Sequence, residues 1–196
     1  MAKTRPEFLP GYYYHIYNRG ANKQQIFKEK SNHLYVIKYL KKYSIELDVS
    51  IVAYCLMPNH YHFLVRQNGH YPAGLIPQRI FNSYTKAFNR SYSHSGTHFE
   101  GRYRSKVVED DSYLIYLCKY IHINPIKAGL VTKPEDWIYS NYQEFLGLRR
   151  GSIFDPEFFD EYFHDKKDYF DFVTEDLSAQ NVPKVLKQYW ESLSEV

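Results

Sequence analysis

The chain has 196 residues, of which 44 % are hydrophobic and 24 % are charged. This balance is typical of one globular domain and excludes a disordered, collagen-like or coiled-coil protein. Two cysteines without a CxxC pair exclude a disulfide scaffold and a thiolate zinc site. Because no apolar signal segment opens the chain, and proline and histidine interrupt its longest uncharged stretch (49–65), we expect a cytoplasmic protein without a membrane span.

Hydrophobic spacing predicts four strands and three core helices. The strands, rich in β-branched and aromatic residues, are 12–18, 49–57, 60–67 and 102–108. The first helix is capped by Ser31 and runs to about residue 47, and the second has Pro77 in its first turn. The third helix, 112–122, is capped by Asp111 and is expected to stop at Asn124-Pro125. Two further helical patches lie around 158–163 and 184–193.

The predicted order of elements is β-α-β-β-α-β-α. It favours an α+β fold of the split βαβ type, with an antiparallel sheet, helices on one face and one extra helix. A tight turn at Pro58-Asn59 would join the second and third strands directly. The remainder of the chain reads as a helical appendage and not as an independent domain.

Charge is distributed unevenly along this fold. Residues 151–196 contain 4 Lys and Arg against 11 Asp and Glu, whereas residues 1–150 contain 21 against 11. The chain also has 21 tyrosines. Because cations bind phosphates and aromatic rings stack on bases, the basic part favours a polyanionic partner. Solvated surface charge around an aromatic core explains the same composition equally well.

Two histidines follow the predicted tight turn at one end of the central hairpin. His60 and His62 are two positions apart on a strand, so their imidazoles share one face while Tyr61 points to the other. Two adjacent imidazoles form half of a metal site, and a third ligand has to come from another element. An isolated HxH pair on a strand is more often incidental, so the position beside the turn is what favours a site.

The last core helix offers a tyrosine and an amide. Tyr120 falls about 110° from the centre of the apolar stripe of this helix, so its hydroxyl is expected to reach a groove. Asn124 follows four residues later and lies on the same side, or just off the end of the helix. Its oxygen could complete a hard-cation site begun by two imidazoles. Helical position alone selects weakly among so many tyrosines.

A row of cations runs along the fourth predicted strand. Arg102, Arg104 and Lys106 project from one face at strand spacing. Such a row suits a phosphate backbone. It suits an exposed edge strand almost as well, because cations there block unwanted pairing.

Three segments resemble the single-tyrosine HUH transposases of the IS200-like superfamily, and among these the REP-associated tyrosine transposases. The segments are MPNHYHFLV, GRYRSKVV and YLIYLCKYIHINPIKAGLV. The opening YYYHIYNRGANKQQIF is also similar to the opening of the family, and the resemblance covers roughly residues 10–145. It implies a ferredoxin-like fold. It also implies a metal-dependent endonuclease and strand transferase that acts on single-stranded DNA beside hairpins, through a 5′-phosphotyrosine intermediate.

The resemblance also assigns roles to residues. His60 and His62 match the metal-binding pair, Tyr120 matches the nucleophile, and Asn124 stands where relatives place a third polar ligand, often Gln. His122 is a competing ligand if the helix breaks early. The implied cofactor is Mg²⁺ or Mn²⁺, and the protein is expected to act as a monomer or a homodimer. Hairpin DNA is expected to lie along the basic body, with these candidate contacts: Arg19, Arg79, Lys86, Arg90, Arg102, Arg104, Lys106 and Lys119.

Two other functions remain open on the sequence alone. One is a hairpin DNA- or RNA-binding regulatory protein without cleavage, and the other is a metal phosphodiesterase that uses water. We expect a transposase domain over 1–147 and an acidic helical extension over 148–196. The extension is either a solvated cap over an apolar edge or an acidic mimic of DNA that restrains activity.

Overall fold

The computed structural model describes residues 6–175. Four antiparallel strands form one sheet in the order β2-β3-β1-β4. The strands are β1 (Tyr13–Arg19), β2 (Val49–Met57), β3 (His60–Gln67) and β4 (Arg104–Val108). The helices are α1 (Lys30–Glu46), α2 (Leu75–Ser91), α3 (Asp111–Lys127), α4 (Tyr142–Phe145), α5 (Pro156–Tyr162) and α6 (Lys166–Thr174). The α+β class and the split βαβ order are confirmed.

Helices cover both faces of the sheet, which corrects one detail of the predicted architecture. On β3, Phe63 and Val65 pack in a core shared with α1 and α2, whereas Leu64 packs in a second core shared with α3. The prediction that helices lie on one face therefore describes α1 and α2 only. The reason is that the central strands are apolar on both sides, and a second apolar face has to be covered as well.

The third core helix is longer than the sequence predicts. It begins behind Asp110, whose carboxylate accepts a hydrogen bond from the Tyr113 backbone N–H at 2.8 Å, and it continues to Lys127 with Pro125 inside it. The predicted stop at Asn124-Pro125 is wrong. Proline already has a helical φ, so its cost here is one missing backbone hydrogen bond and local crowding, and α3 buries enough of its surface to tolerate that. Asn124 therefore stays on the helix, one turn after Tyr120.

The acidic part of the chain packs on α3 as far as it is described. Buried side chains of α5 and α6, among them Phe158, Tyr169 and Val173, belong to the same core as Leu117 of α3. The predicted patch at 158–163 overlaps α5, and the one at 184–193 lies outside the described residues. Within 6–175, no helix is long and apolar enough to cross a membrane.

Candidate active site

The two histidines lie where β3 begins, on the sheet face that α3 covers. Their ring centroids are 5.0 Å apart and their planes are nearly perpendicular, at 82°. His60 Nε2 lies 3.2 Å from Asn124 Oδ1, and its Nδ1 lies 2.7 Å from Asn59 Oδ1. The strand and the helix thus bring His60, His62 and Asn124 together, as predicted.

Tyr120 joins this group from α3. Its ring centroid lies 5.8 Å from that of His62, with the planes at 81°. The side chain is only 8 % exposed, so the predicted access to a groove is narrow. Burial raises the pKa of Tyr120 to about 12, and a hydrogen bond with Asn124 acts in the opposite direction. The phenol is therefore protonated at neutral pH and must lose its proton to act as a nucleophile.

Burial also sets the state of the histidines. It lowers the pKa of His60 to about 4, against a smaller opposing effect of the Asn124 hydrogen bond. It lowers the pKa of His62 well below its ordinary value, and a proton on His60 or His15 would act in the same direction. Both rings are neutral at pH 7, so each offers one nitrogen lone pair, which is the state in which imidazole binds metals.

Two residues of β1 complete the histidine face and were missed in the sequence. His15 is fully buried, and its Nε2 lies 3.0 Å from His62 Nδ1. Tyr17 stacks on His15 with ring centroids 4.8 Å apart. The alternation of Tyr13, His15 and Tyr17 in β1 was a signal that these side chains share a face. Which face they share depends on the register with β3, which the sequence does not show.

A third missed residue is Lys127, at the end of α3. Its Nζ lies 5.0 Å from the centroid of the Tyr120 ring, within the range of a cation–π contact. Two helical turns separate the two residues, so they share a side of the helix. A helix that ended at Asn124 would not have placed this cation beside the tyrosine.

The predicted cations divide between the two faces of the sheet. Arg104 and Lys106 pair across β1 with Tyr17 and His15, which places both cations on the histidine face. Arg102 is exposed just before β4. Arg79, Lys86 and Arg90 lie on α2, which covers the opposite face.

Four of the predicted DNA contacts interact within the protein, among them Arg79 with Glu46 and Lys106 with the ring of Tyr113. Arg19, opposite His60 in the sheet, forms an ion pair with Glu100 at 2.6 Å, and its side chain is 11 % exposed. Lys119 is 2 % exposed, and its ammonium donates to the backbone carbonyls of Phe172 and Glu175. The structure therefore contradicts Lys119 as a DNA contact. This lysine instead binds the end of α6, where helix carbonyls attract cations.

His122, the competing ligand, lies in the core away from the site. Its Nε2 donates to Asn141 Oδ1 at 2.9 Å, and the Tyr169 hydroxyl donates to its Nδ1. With both ring nitrogens occupied and the side chain fully buried, it cannot act as a ligand beside His60. Because α3 does not break early, Asn124 takes that place.

We expect His122 to make the protein sensitive to acid. Burial lowers its pKa from 6.5 to about 4, so below about pH 6.5 the unfolded chain binds a proton before the folded chain does. The contribution of neutral His122 to the free energy of unfolding is therefore fully present above pH 6.5, and it is lost as the pH falls towards 4. The loss at pH 5 is at most about 2 kcal/mol.

Urea unfolding at pH 7 and pH 5 measures the loss summed over all histidines whose pKa is lowered. The part of the loss that disappears in His122→Gln is the contribution of His122. An NMR titration that gives His122 a pKa near its ordinary value would contradict the prediction.

The residues of the site fit a hard divalent cation. Within residues 6–175 no group of three or more His, Cys, Asp and Glu side chains is placed to hold a metal ion, and an amide oxygen is a further ligand that such a search does not include. Asn124 Oδ1, at 3.2 Å from His60 Nε2, is such an oxygen. Two neutral imidazoles and one amide oxygen suit Mn²⁺, and Mg²⁺ where it is more abundant.

Comparison with known proteins identifies the family. The family described as "Transposase IS200 like" matches residues 9–124, more than half of the chain. A Haemophilus influenzae protein named as a REP-associated tyrosine transposase is 31 % identical over 102 residues, which are 46 % of this chain and 57 % of the relative. The chain thus spans little more than half the length of this curated relative.

A solved structure shares the fold. It is described as a REP-associated tyrosine transposase bound to a REP hairpin, and it matches with a TM-score of 0.64 at 18 % identity over 79 % of this chain and 94 % of its own. This likeness confirms the fold. The family match includes both histidines and Tyr120, and it ends at Asn124. This chain therefore belongs to the IS200-like transposase family.

Proposed function

We propose that the protein cleaves and rejoins single-stranded DNA beside hairpins through a covalent bond to Tyr120, with the transposase domain in 1–147 and an extension in 148–196. The observation that carries this proposal is the convergence of Tyr120, His62 and the His60–Asn124 pair on one sheet face. The relative described as bound to a REP hairpin supports hairpin DNA as the partner.

Tyr120 supplies the nucleophile. Its hydroxyl oxygen attacks the phosphorus of a phosphodiester, the bond from phosphorus to the 3′ oxygen breaks, and the departing strand takes up a proton as a 3′-OH. The product is a 5′-phosphotyrosine, an ester that conserves the energy of the broken bond. A 3′-OH can therefore attack it in the reverse sense and rejoin strands without ATP.

His60, His62 and Asn124 would hold Mg²⁺ or Mn²⁺. When bound, such an ion supplies polarisation of the scissile phosphodiester and neutralises charge on the leaving oxygen. The protein fixes the ligands beforehand, because Asn59 orients His60 and His15 orients His62. Lys127, beside Tyr120, is placed to attract a phosphate oxygen that reaches the tyrosine.

A labelled oligonucleotide tests the proposal. The protein is incubated with Mn²⁺ and a pool of DNA hairpins that carry randomised single-stranded flanks, and the products are separated on a denaturing gel. Attack by Tyr120 attaches the protein to the 5′ end of the downstream fragment, so a 3′ label is expected to migrate with the protein. A 5′ label is expected in a shorter free strand.

The same gel separates the competing functions. Cleavage without any protein-linked label indicates a phosphodiesterase that uses water. Hairpin binding without cleavage indicates a regulatory DNA- or RNA-binding protein. Either result contradicts the proposed transferase.

Salt dependence tests the predicted phosphate contacts. We expect the affinity for hairpin DNA to fall steeply with ionic strength, because each phosphate contact releases a counterion. Arg102→Gln and Arg104→Gln should each reduce the slope of log K against log salt by about 1. Fluorescence anisotropy measures the slope. The control is Lys167→Gln, at an exposed lysine of α6 that pairs with Asp171 and is not a predicted DNA contact. Slopes equal to that of the wild-type protein in both arginine variants would remove Arg102 and Arg104 from the interface.

A further inference from the structure

A buried histidine stands directly behind one of the two candidate metal ligands. His15 Nε2 lies 3.0 Å from His62 Nδ1, the rings are nearly parallel at 19°, and their side chains are 0 % and 2 % exposed. Tyr17 stacks on the ring of His15 at a centroid distance of 4.8 Å. Packing and a hydrogen bond thus fix this pair.

We infer that His15 is a positioning residue that accepts the Nδ1 proton of His62 and so holds His62 in the one tautomer that can bind a cation through Nε2. The inference deepens the proposed function, since it rests on His62 being a metal ligand. Neither the family match nor the fold assigns a role to His15.

The direction of the hydrogen bond follows from counting protons. Two neutral imidazoles 3.0 Å apart share one N–H and one lone pair, so one ring donates and the other accepts. If His15 donated, His62 would carry its own proton on Nε2 and would have no lone pair left for a cation. Because Nδ1 of His62 faces His15, only Nε2 remains for a ligand bond. A cation at His62 therefore requires that His62 donate and His15 accept.

The surroundings of His15 hold its ring in place. Lys106 lies directly opposite His15 on β4, Tyr17 stacks on its ring, and the side chain is fully buried. Metal-bound histidines commonly have a partner of this kind on their second nitrogen, which fixes the ring and the tautomer.

The tautomer can be observed without any metal. In long-range ¹H–¹⁵N NMR spectra of the metal-free protein, we expect the proton of His62 on Nδ1. In His15→Phe, which keeps a flat apolar ring but removes the acceptor, we expect the Nε2–H tautomer to become populated. A proton on Nε2 of His62 in the wild-type protein would overturn the inference.

Metal affinity gives the second measurement. With Mn²⁺ alone as the probe, electron paramagnetic resonance of the free ion should show about 10- to 100-fold weaker binding to His15→Phe. His15→Gln, whose side-chain oxygen can accept the proton, should recover most of the affinity. Equal affinity of the folded His15→Phe and wild-type proteins contradicts the inference, as does a His15→Gln variant as weak as His15→Phe.

Failure of the proposed function is separable from failure of this inference. A wild-type protein that binds Mn²⁺ with the expected tautomer but forms no DNA adduct refutes the transferase and leaves the role of His15 standing. A wild-type protein that forms the DNA adduct although His62 is protonated on Nε2 supports the transferase and refutes the role of His15. If His15→Phe does not fold, the wild-type tautomer and the affinity of His15→Gln still decide the inference.

Discussion

Tyr120→Phe is expected to abolish the covalent protein–DNA adduct and to lower the cleavage rate at least about 1000-fold, because the substitution removes only the attacking oxygen. The phenyl ring keeps its contact with His62 and its position under Lys127, so the fold and the affinity for hairpin DNA should be preserved. A denaturing gel with 3′-labelled DNA measures the adduct, and anisotropy measures the binding.

A matched control lies one helical turn earlier. Tyr116 is partly buried on α3 and packs against Phe172, away from the histidines, so Tyr116→Phe should retain the adduct. An adduct that survives in Tyr120→Phe and disappears in Tyr116→Phe would show that the nucleophile has been assigned to the wrong tyrosine. Cleavage that continues in Tyr120→Phe without an adduct would point to water as the nucleophile.

The central hairpin was the most predictable part of the fold. A continuous apolar run predicts β2, a Pro-Asn turn ends it, and β3 follows with both predicted bounds at the observed residues. Here the local signals for strand, turn and burial agree with one another. The separation of His60 and His62 by one residue then follows from strand geometry alone.

The buried face of α1 shows where hydrophobic spacing fails. Leu34, Ile37 and Leu40 recur at helical spacing, which predicts that they share the core face of α1. Leu34 is nevertheless 49 % exposed, while the neighbouring His33 is 6 % exposed. His33 stacks on Tyr139 with ring centroids 3.8 Å apart, and its Nδ1 lies 3.1 Å from the Glu29 carbonyl oxygen. A histidine that is neutral and hydrogen-bonded packs like an aromatic residue, and a hydropathy pattern does not register this.

The remaining errors at the site come from contacts between distant parts of the chain. His15 reaches His62 through the register of β1 with β3, which pairs residues far apart in sequence. The sequence around Lys119 is that of a surface cation, but Lys119 is buried by α6, which lies about fifty residues later in the chain. Local pattern singled out the histidine pair as a candidate and the family resemblance selected Tyr120 and Asn124, whereas the neighbours that support these residues depended on tertiary packing.

Deletion of residues 151–196 is expected to destabilise the protein so strongly that cleavage falls. Buried aromatic side chains of the deleted segment fill the core on α3, and Lys119 and His122 lose hydrogen-bond partners in α6 and the residue after it. Removing even one such ring costs about 3–5 kcal/mol, a large part of the 5–15 kcal/mol that stabilises a typical domain. The structure thus favours the cap over an apolar edge. A DNA mimic that restrains activity would instead raise cleavage when deleted.

Substitutions at Tyr169 resolve the effect more finely than the deletion. Tyr169 is fully buried between His122 and Cys118, so Tyr169→Ala should lower the free energy of unfolding by about 3–5 kcal/mol. Tyr169→Phe should lower it by about 1–3 kcal/mol, because it leaves His122 Nδ1 without its donor. Phe170→Ala, at a neighbouring position that is 40 % exposed, is the control and should change little.

Denaturant unfolding followed by circular dichroism measures all three variants, and the adduct assay is run on each. If the segment supports α3, cleavage at 25 °C should decline in the order of the losses in stability, because α3 carries Tyr120 and Asn124. A Tyr169→Ala protein as stable as the wild-type protein and faster in cleavage would instead show that the acidic segment restrains the active site. Support of α3 predicts that Tyr169→Ala slows cleavage, whereas restraint of the active site predicts that it speeds cleavage. The substitution of one buried side chain therefore distinguishes the two mechanisms.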